Sequence, residues 1–247
     1  MKRTLRKWFD AALRSRGYEL KEIGSPVRGF EGCLEYAKRR GLAPKTVFDV
    51  GVGNGTQWLY DAFPSSKLVL FEPLAVFDND VQQFAQRYKA DAHRVALGSE
   101  PGSAVIQVNV DHPTSSSFLR IDSTFAGFAA KVQREHHFNQ QRVQIETLDH
   151  LNSYEPPYVL KLDVEGSERA VLEGALQTLQ KTDFLLMEMS VMHRLTSEPS
   201  FAEMIDFVDK CGFELFDIPS LSQTHGTEQL IYLDAAFVPK HSKLWPS

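Results

Sequence analysis

Three glycines follow a short apolar run in Val47-Phe48-Asp49-Val50-Gly51-Val52-Gly53-Asn54-Gly55, and a helical pattern opens directly after them at Thr56. Glycine at such a turn lets the backbone reverse tightly and come within contact distance of a ligand, where any Cβ would intrude. The helix beyond offers free N–H groups and a partial positive charge. A second acid, Glu72, closes the next apolar run just before Pro73. A carboxylate at that place can accept both hydroxyls of a ribose.

The spacing is Gly-x-Gly-x-Gly rather than the Gly-x-Gly-x-x-Gly of dinucleotide sites. Asp49, directly before the turn, would repel a pyrophosphate and attract an ammonium. Asp49, Gly51, Gly53, Asn54, Gly55, Glu72 and Pro73 therefore predict S-adenosylmethionine as the cofactor in preference to NAD, with Ala96 and Asp163 completing the binding set. The plainer alternative is a tight strand-to-helix turn beside a surface glutamate. Acids on two successive strand ends weigh against it.

A further group of charges lies in Leu160-Lys161-Leu162-Asp163-Val164-Glu165-Gly166-Ser167-Glu168. Lys161, Asp163 and Glu165 alternate, which on an extended strand puts all three on one face. Such charges are costly unless they pair or meet a ligand. Methyl transfer from a sulfonium is an in-line displacement, and a hydroxyl acceptor must lose its proton to a base or be activated by a metal. Asp163, at the carboxyl end of its strand, is the first candidate for that work. Glu188 and His193, at and just past the fifth strand end, come next, with Lys161 as the charged partner. Histidine suits proton removal near neutral pH, although a loop histidine beside Arg194 is the ordinary alternative. Glu168 is expected to serve the first turn of the next helix, and Glu165 stands between the two roles. A divalent cation between Asp163 and Glu188 is the secondary expectation, without a third ligand at diagnostic spacing. His112, His136, His137 and the run Ser115-Ser116-Ser117 could touch a polar substrate or simply form loop.

From Thr46 onward, short apolar runs alternate with segments of helical period, the pattern of parallel β-α-β units. Strands are expected over Thr46 to Val50, Lys67 to Phe71, Ala92 to Leu97, Tyr158 to Val164 and Phe184 to Met189. Helices are expected over Thr56 to Phe63, around Val81 to Tyr88, over Glu168 to Leu179 and over Ser200 to Cys211. Phe213 to Ile218 and Gln229 to Val238 follow one another without a helix, which predicts an antiparallel pair. Ser103 to Val110 and Arg142 to Thr147 alternate apolar and polar and flank an insertion over residues 111–141. The predicted fold is α/β: a doubly wound, mainly parallel seven-stranded sheet with an antiparallel terminal strand. Residues 46–247 form the main domain and residues 1–45 a helical N-terminal extension.

The chain has 247 residues, 43% of them apolar, enough for one large core. Its net charge of −5 argues against a nucleic-acid partner. Cys33 and Cys211 lie far apart without metal or disulfide spacing, and no run is long enough to span a bilayer, so a soluble, cytoplasmic protein is expected. Lys2, Arg3, Arg6, Lys7, Arg14 and Arg16 crowd the first sixteen residues, while Leu5, Trp8, Phe9 and Leu13 share a helical face. Such a helix covers a core or makes a homodimer contact, with weak contact to a membrane surface as the second reading.

The sequence resembles the FkbM-like methyltransferases. The likeness lies in Phe48-Asp49-Val50-Gly51-x-Gly53-Asn54-Gly55, Phe71-Glu72-Pro73, Thr147-Leu148-Asp149, Leu160-Lys161-Leu162-Asp163-Val164-Glu165-Gly166-x-Glu168, Val171-Leu172-x-Gly174-Ala175 and Glu188, in consistent order over residues 46–190. Val52, where the family usually carries alanine, is a mild departure. The resemblance implies a class I methyltransferase fold and methylation of a hydroxyl on a small molecule or glycan, often a sugar or secondary metabolite. An NAD-dependent oxidoreductase and a non-catalytic nucleotide-binding protein are the rival classes. The first would want the dinucleotide spacing, and the second has little use for Lys161, Asp163 and Glu165 together.

Overall fold

The computed structural model describes residues 27–119, 137–192, 195–223 and 229–245. The basic N-terminal segment, most of the insertion, His136 and His193 lie outside the described residues. The first described helix, α1 (Phe30–Arg39), ends as Gly41 takes a left-handed φ of 102° and Leu42 donates back to Ala37. It covers the sheet ahead of β1 (Thr46–Val50), α2 (Gln57–Ala62), β2 (Lys67–Phe71), α3 (Asp78–Tyr88) and the short β3 (Asp91–His93).

After β4 (Ala96–Leu97), β5 (Gly102–Asn109), β6 (Phe138–Glu146) and the short α4 (Leu148–Leu151), the main sheet resumes with β7 (Tyr158–Leu162). It continues through α5 (Glu168–Glu173), α6 (Leu176–Leu179), β8 (Thr182–Ser190), α7 (Phe201–Lys210), β9 (Phe213–Gln223) and β10 (Leu230–Pro239). The seven-stranded order is β3-β2-β1-β7-β8-β10-β9. All pairs from β3 to β8 are parallel, and β10 runs antiparallel to both β8 and β9. The predicted mainly parallel sheet with an antiparallel terminal strand is therefore present.

Every residue of β1 and β7 is buried, as apolar strands covered on both faces require. Alternation sends Val47, Leu70, Val159, Leu186 and Ala236 to the layer under α1, α2 and α3. Phe48, Val50, Phe71, Leu162, Met187 and Ala235 go to the layer under α5, α6 and α7. α7 opens with a capping box, Ser200 and Glu203 exchanging hydrogen bonds at the start expected for it. Among the described residues no helix is long and apolar enough to cross a membrane.

Three expectations need correction. Ala92 to Leu97 is two strands: β3 belongs to the main sheet, whereas β4 pairs with β6 in a separate three-stranded sheet ordered β4-β6-β5. That second sheet holds both alternating segments around the insertion. The helix expected over Glu168 to Leu179 breaks at Gly174, where a Cβ would lie 2.0 Å from the Gly98 carbonyl oxygen. Asp149 then caps the second piece, accepting from the Gln177 and Thr178 N–H groups at 2.9 and 2.8 Å, which gives the Thr147-Leu148-Asp149 motif a structural task. Finally, β7 stops at Leu162, so Asp163 and Glu165 stand on the turn beyond it.

Candidate active site

The carboxyl ends of β1, β2, β7 and β8 open onto a cavity of about 440 Å³, the scale of a small-molecule site. Gly51 to Gly55, Glu72, Pro73 and Ala96 line it, and so do Lys161, Asp163 and Glu188. Asp49 does not.

Only part of the glycine requirement comes from a ligand. Gly51 has φ 78°, and a Cβ on it would lie 1.8 Å from the Asp163 carbonyl oxygen. A Cβ on Gly55, at φ 91°, would lie 2.1 Å from the Phe84 ring. Both glycines are demanded by neighbouring protein. Gly53 is different: the space beside it is open except for the Thr114 methyl at 3.4 Å, and its N–H donates to the Glu72 carboxylate at 2.9 Å. The other Glu72 oxygen accepts from the Leu74 N–H at 2.9 Å. Burial pushes the Glu72 carboxyl above its ordinary pKa, against these two donors.

Asp49 was expected to face the ammonium of a ligand. It lies instead beneath the turn, fully buried under α2, where the Tyr60 hydroxyl donates to it at 2.5 Å. The Lys161 ammonium is 3.0 Å from its other oxygen and donates to the Gly51 carbonyl at 2.7 Å. A second carboxylate, Asp163, stands 3.7 Å from the same ammonium. Burial acts to lower the Lys161 pKa, but Asp49 and Asp163 outweigh it and hold the amine above its ordinary value. Lys161 is thus a permanent cation pinning the glycine turn from below. Tyr60, which sequence spacing did not single out, completes the chain; burial, then Asp49, keeps its hydroxyl protonated and donating.

Glu165 takes a left-handed φ of 52° on the turn beyond β7, so its side chain does not follow strand alternation. The turn is knit by Glu168, whose carboxylate accepts from the Val164 and Gly166 N–H groups at 3.0 and 3.4 Å. Burial, opposed by those bonds, pushes Glu168 up to about 7. Its role is the structural one anticipated. Although alternation fails, Asp163, Glu165 and Glu188 do meet: one carboxylate oxygen from each lies within 4.8 Å of the others. Ser117 fixes the backbone here, its hydroxyl donating to the Glu165 carbonyl at 2.6 Å. Ser116 lines the cavity with its hydroxyl bonded to Pro113, while His112 and His137 do not line it.

One cavity carboxylate was missed. Asp234 on β10 lies opposite Glu188 on β8 and Ser220 on β9. Burial, then the Asp163 charge, pushes it up to about 6, against a hydrogen bond from Ser220. Nothing local marks it, because the next strand over is what gives it company. A carboxyl raised in the folded state contributes stability below its unfolded pKa, and that contribution is lost as pH rises through about 6. Asp234→Asn is therefore expected to leave urea unfolding unchanged near about pH 3 and to stabilise the protein by about 1–3 kcal/mol near about pH 8. Equal effects at both pH values would show that Asp234 ionises freely.

Residues 49–215 match the family described as the methyltransferase FkbM domain. A comparison with curated proteins finds no match. Among solved structures, the chain is similar to the magnesium protoporphyrin IX methyltransferase of Synechocystis PCC 6803 with bound SAM, at 11% identity, 97% of each chain and a TM-score of 0.46. It is also similar to an rRNA methylase from Streptococcus thermophilus, at 12% identity, 83% of this chain, 93% of that one and a TM-score of 0.44. A third likeness is to the 1,6-didemethyltoxoflavin-N1-methyltransferase of Burkholderia thailandensis, at 12% identity, 95% and 87% coverage and a TM-score of 0.43.

Proposed function

Because the chain belongs to the methyltransferase FkbM family, matched over residues 49–215, we propose that it uses S-adenosylmethionine to methylate a hydroxyl of a small molecule or glycan, such as a sugar or secondary metabolite. The observation carrying this is that the carboxylates of Asp163, Glu165 and Glu188 gather in the same cavity as the glycine turn and Glu72. S-adenosylmethionine, when bound, supplies an electrophilic methyl group. Glu72 accepts the ribose hydroxyls, and the Gly53 N–H that it otherwise holds turns to the ligand. Lys161 keeps the turn in register. Asp163 would take the proton of the acceptor hydroxyl as that oxygen is methylated. Residues 46–247 act as the methyltransferase domain, residues 1–45 as its N-terminal extension, and pairing through that extension would give a homodimer.

Calorimetry with S-adenosylmethionine, S-adenosylhomocysteine and NAD tests the cofactor, since binding of neither sulfur ligand would sink the proposal. Tritiated methyl transfer to a panel of alcohols, phenols and sugars, set against amines, tests the acceptor atom. Glu72→Ala is expected to weaken S-adenosylhomocysteine by about ten- to a hundredfold through loss of charge-assisted hydrogen bonds. An unchanged affinity would remove Glu72 from the site.

A metal-assisted route has one observation in its favour: Glu165 supplies beside Asp163 and Glu188 the third oxygen ligand that sequence spacing lacked. A hard cation held there would lower the acceptor's pKa. Turnover is then expected to fall at least about tenfold in excess EDTA and to return with Mg²⁺. Undiminished turnover in chelator would leave Asp163 to act without a metal.

A further inference from the structure

The sheet changes character along β8, β10 and β9. Leu186, Ala236 and Val238 are buried in the layer beneath α1, α2 and α3, and one step nearer the cavity the same face turns polar. Glu188, Asp234 and Ser220 stand side by side, and the next row is Ser190, Tyr232 and Ser222. The intervening residues Met189, Leu233, Ala235 and Leu221 pack into the opposite layer, so the switch is confined to the positions that alternation sends this way. These polar groups pair in part with one another, as Ser220 does with Asp234.

Ser220, Ser222, Tyr232 and Asp234 all line the same cavity as the glycine turn. Tyr232 and Asp234 stand three strands from β1 and Ser220 and Ser222 four, about 14 and about 19 Å at ordinary strand spacing. A nucleoside on Glu72 whose tail crosses Gly51 leaves this end of the cavity to the other reactant. Resting on the cofactor reading above, we propose that Ser220, Ser222, Tyr232 and Asp234 form the acceptor subsite and select an uncharged, hydroxyl-rich molecule. Hydroxyls of such a molecule donate to the Asp234 carboxylate and exchange hydrogen bonds with Ser220, Ser222 and Tyr232. Among the described residues lining the cavity the one cation is Lys161, already engaged by Asp49 and the Gly51 carbonyl. Phosphate or carboxylate on the acceptor would meet Asp234 and Asp163 instead and be repelled.

The test is saturation-transfer NMR on full-length protein loaded with S-adenosylhomocysteine, with myo-inositol and methyl glucoside as neutral probes and glucose 6-phosphate as the anionic one. The neutral probes are expected to show contact with native protein, the anion none. In Asp234→Asn and in Ser222→Ala the neutral signal should fall about tenfold while S-adenosylhomocysteine affinity stays within about twofold. Two variants are used so that misfolding of one, read from its melt, leaves the other decisive. The subsite is overturned if native protein ignores the neutral probes, if both variants keep the signal, if the anion binds equally well, or if the variants lose S-adenosylhomocysteine in proportion. Failure of native protein to bind S-adenosylhomocysteine is a separate result, which fells the cofactor reading and the subsite built on it.

Discussion

Gly51→Ala is expected to abolish measurable S-adenosylhomocysteine binding and to destabilise the fold by about 2–5 kcal/mol, the sum of a strained positive φ and an overpacked contact. The added Cβ would sit 1.8 Å from the Asp163 carbonyl oxygen, and that atom is backbone, so no side-chain rotation relieves it. The ends of β1 and β7 would have to part. They are tied where the Asp163 N–H donates to the Val50 carbonyl at 3.1 Å, and the Gly51 N–H donates to the Phe71 carbonyl at 3.0 Å on the other side. Parting them moves the turn, the lysine beneath it and the acid beside it together. Gly53→Ala is the control for the overpacked contact alone, since at φ 50° it carries similar backbone strain but its Cβ would meet only the Thr114 methyl at 3.4 Å. Calorimetry and urea melts on both variants check this, and a Gly51→Ala protein with native affinity would show that the turn has slack that its packing denies.

Lys161→Met is expected to have the next largest effect. It leaves the fully buried Asp49 carboxylate with only the Tyr60 hydroxyl as partner and deprives the Gly51 carbonyl of its donor. Breaking a buried pair from one side costs about 3–5 kcal/mol, because the remaining charge is stranded. Asp49→Asn combined with Lys161→Met should recover part of that loss, since no isolated charge remains. The recovery should appear in the melting temperature and not in S-adenosylhomocysteine affinity, which needs the pin on Gly51. If single and double variants melt alike, Lys161 is not paying its way through Asp49.

Much of this molecule was legible because its signals are local. The alternation of Val47, Leu68, Val159 and Leu185 runs with helical segments announces the parallel sheet, and the missing helix between Phe213 and Val238 announces the antiparallel pair. Glu72, Pro73, Asp163 and Glu188 were placed by the rule that ligands lie beyond the carboxyl ends of parallel strands. Features set by a distant partner were not legible. Arg94 and Val95 carry no mark that the chain leaves one sheet for another between β3 and β4. Gly174 reads as a helix residue until Gly98 is seen against it. Asp49 reads as a ligand contact until Lys161 and Tyr60 occupy it, and Asp234 is an isolated acid in an apolar strand until β8 and β9 flank it. Glu165 joined Asp163 and Glu188 by a route alternation could not foresee, a left-handed turn held by Glu168.

The placement of β10 sets an order on how the chain can assemble. It follows β9 in sequence yet sits inside the sheet, between β8 and β9. On a ribosome, every parallel pair up to β8 can form while β9 has no neighbour to join, and two unpaired edges wait for a strand not yet synthesised. Closure is a late, long-range insertion of the kind that folds slowly and leaves intermediates open to aggregation. That same last strand carries Tyr232 and Asp234, so a nascent chain completes the far wall of its cavity only in the step that seals its sheet.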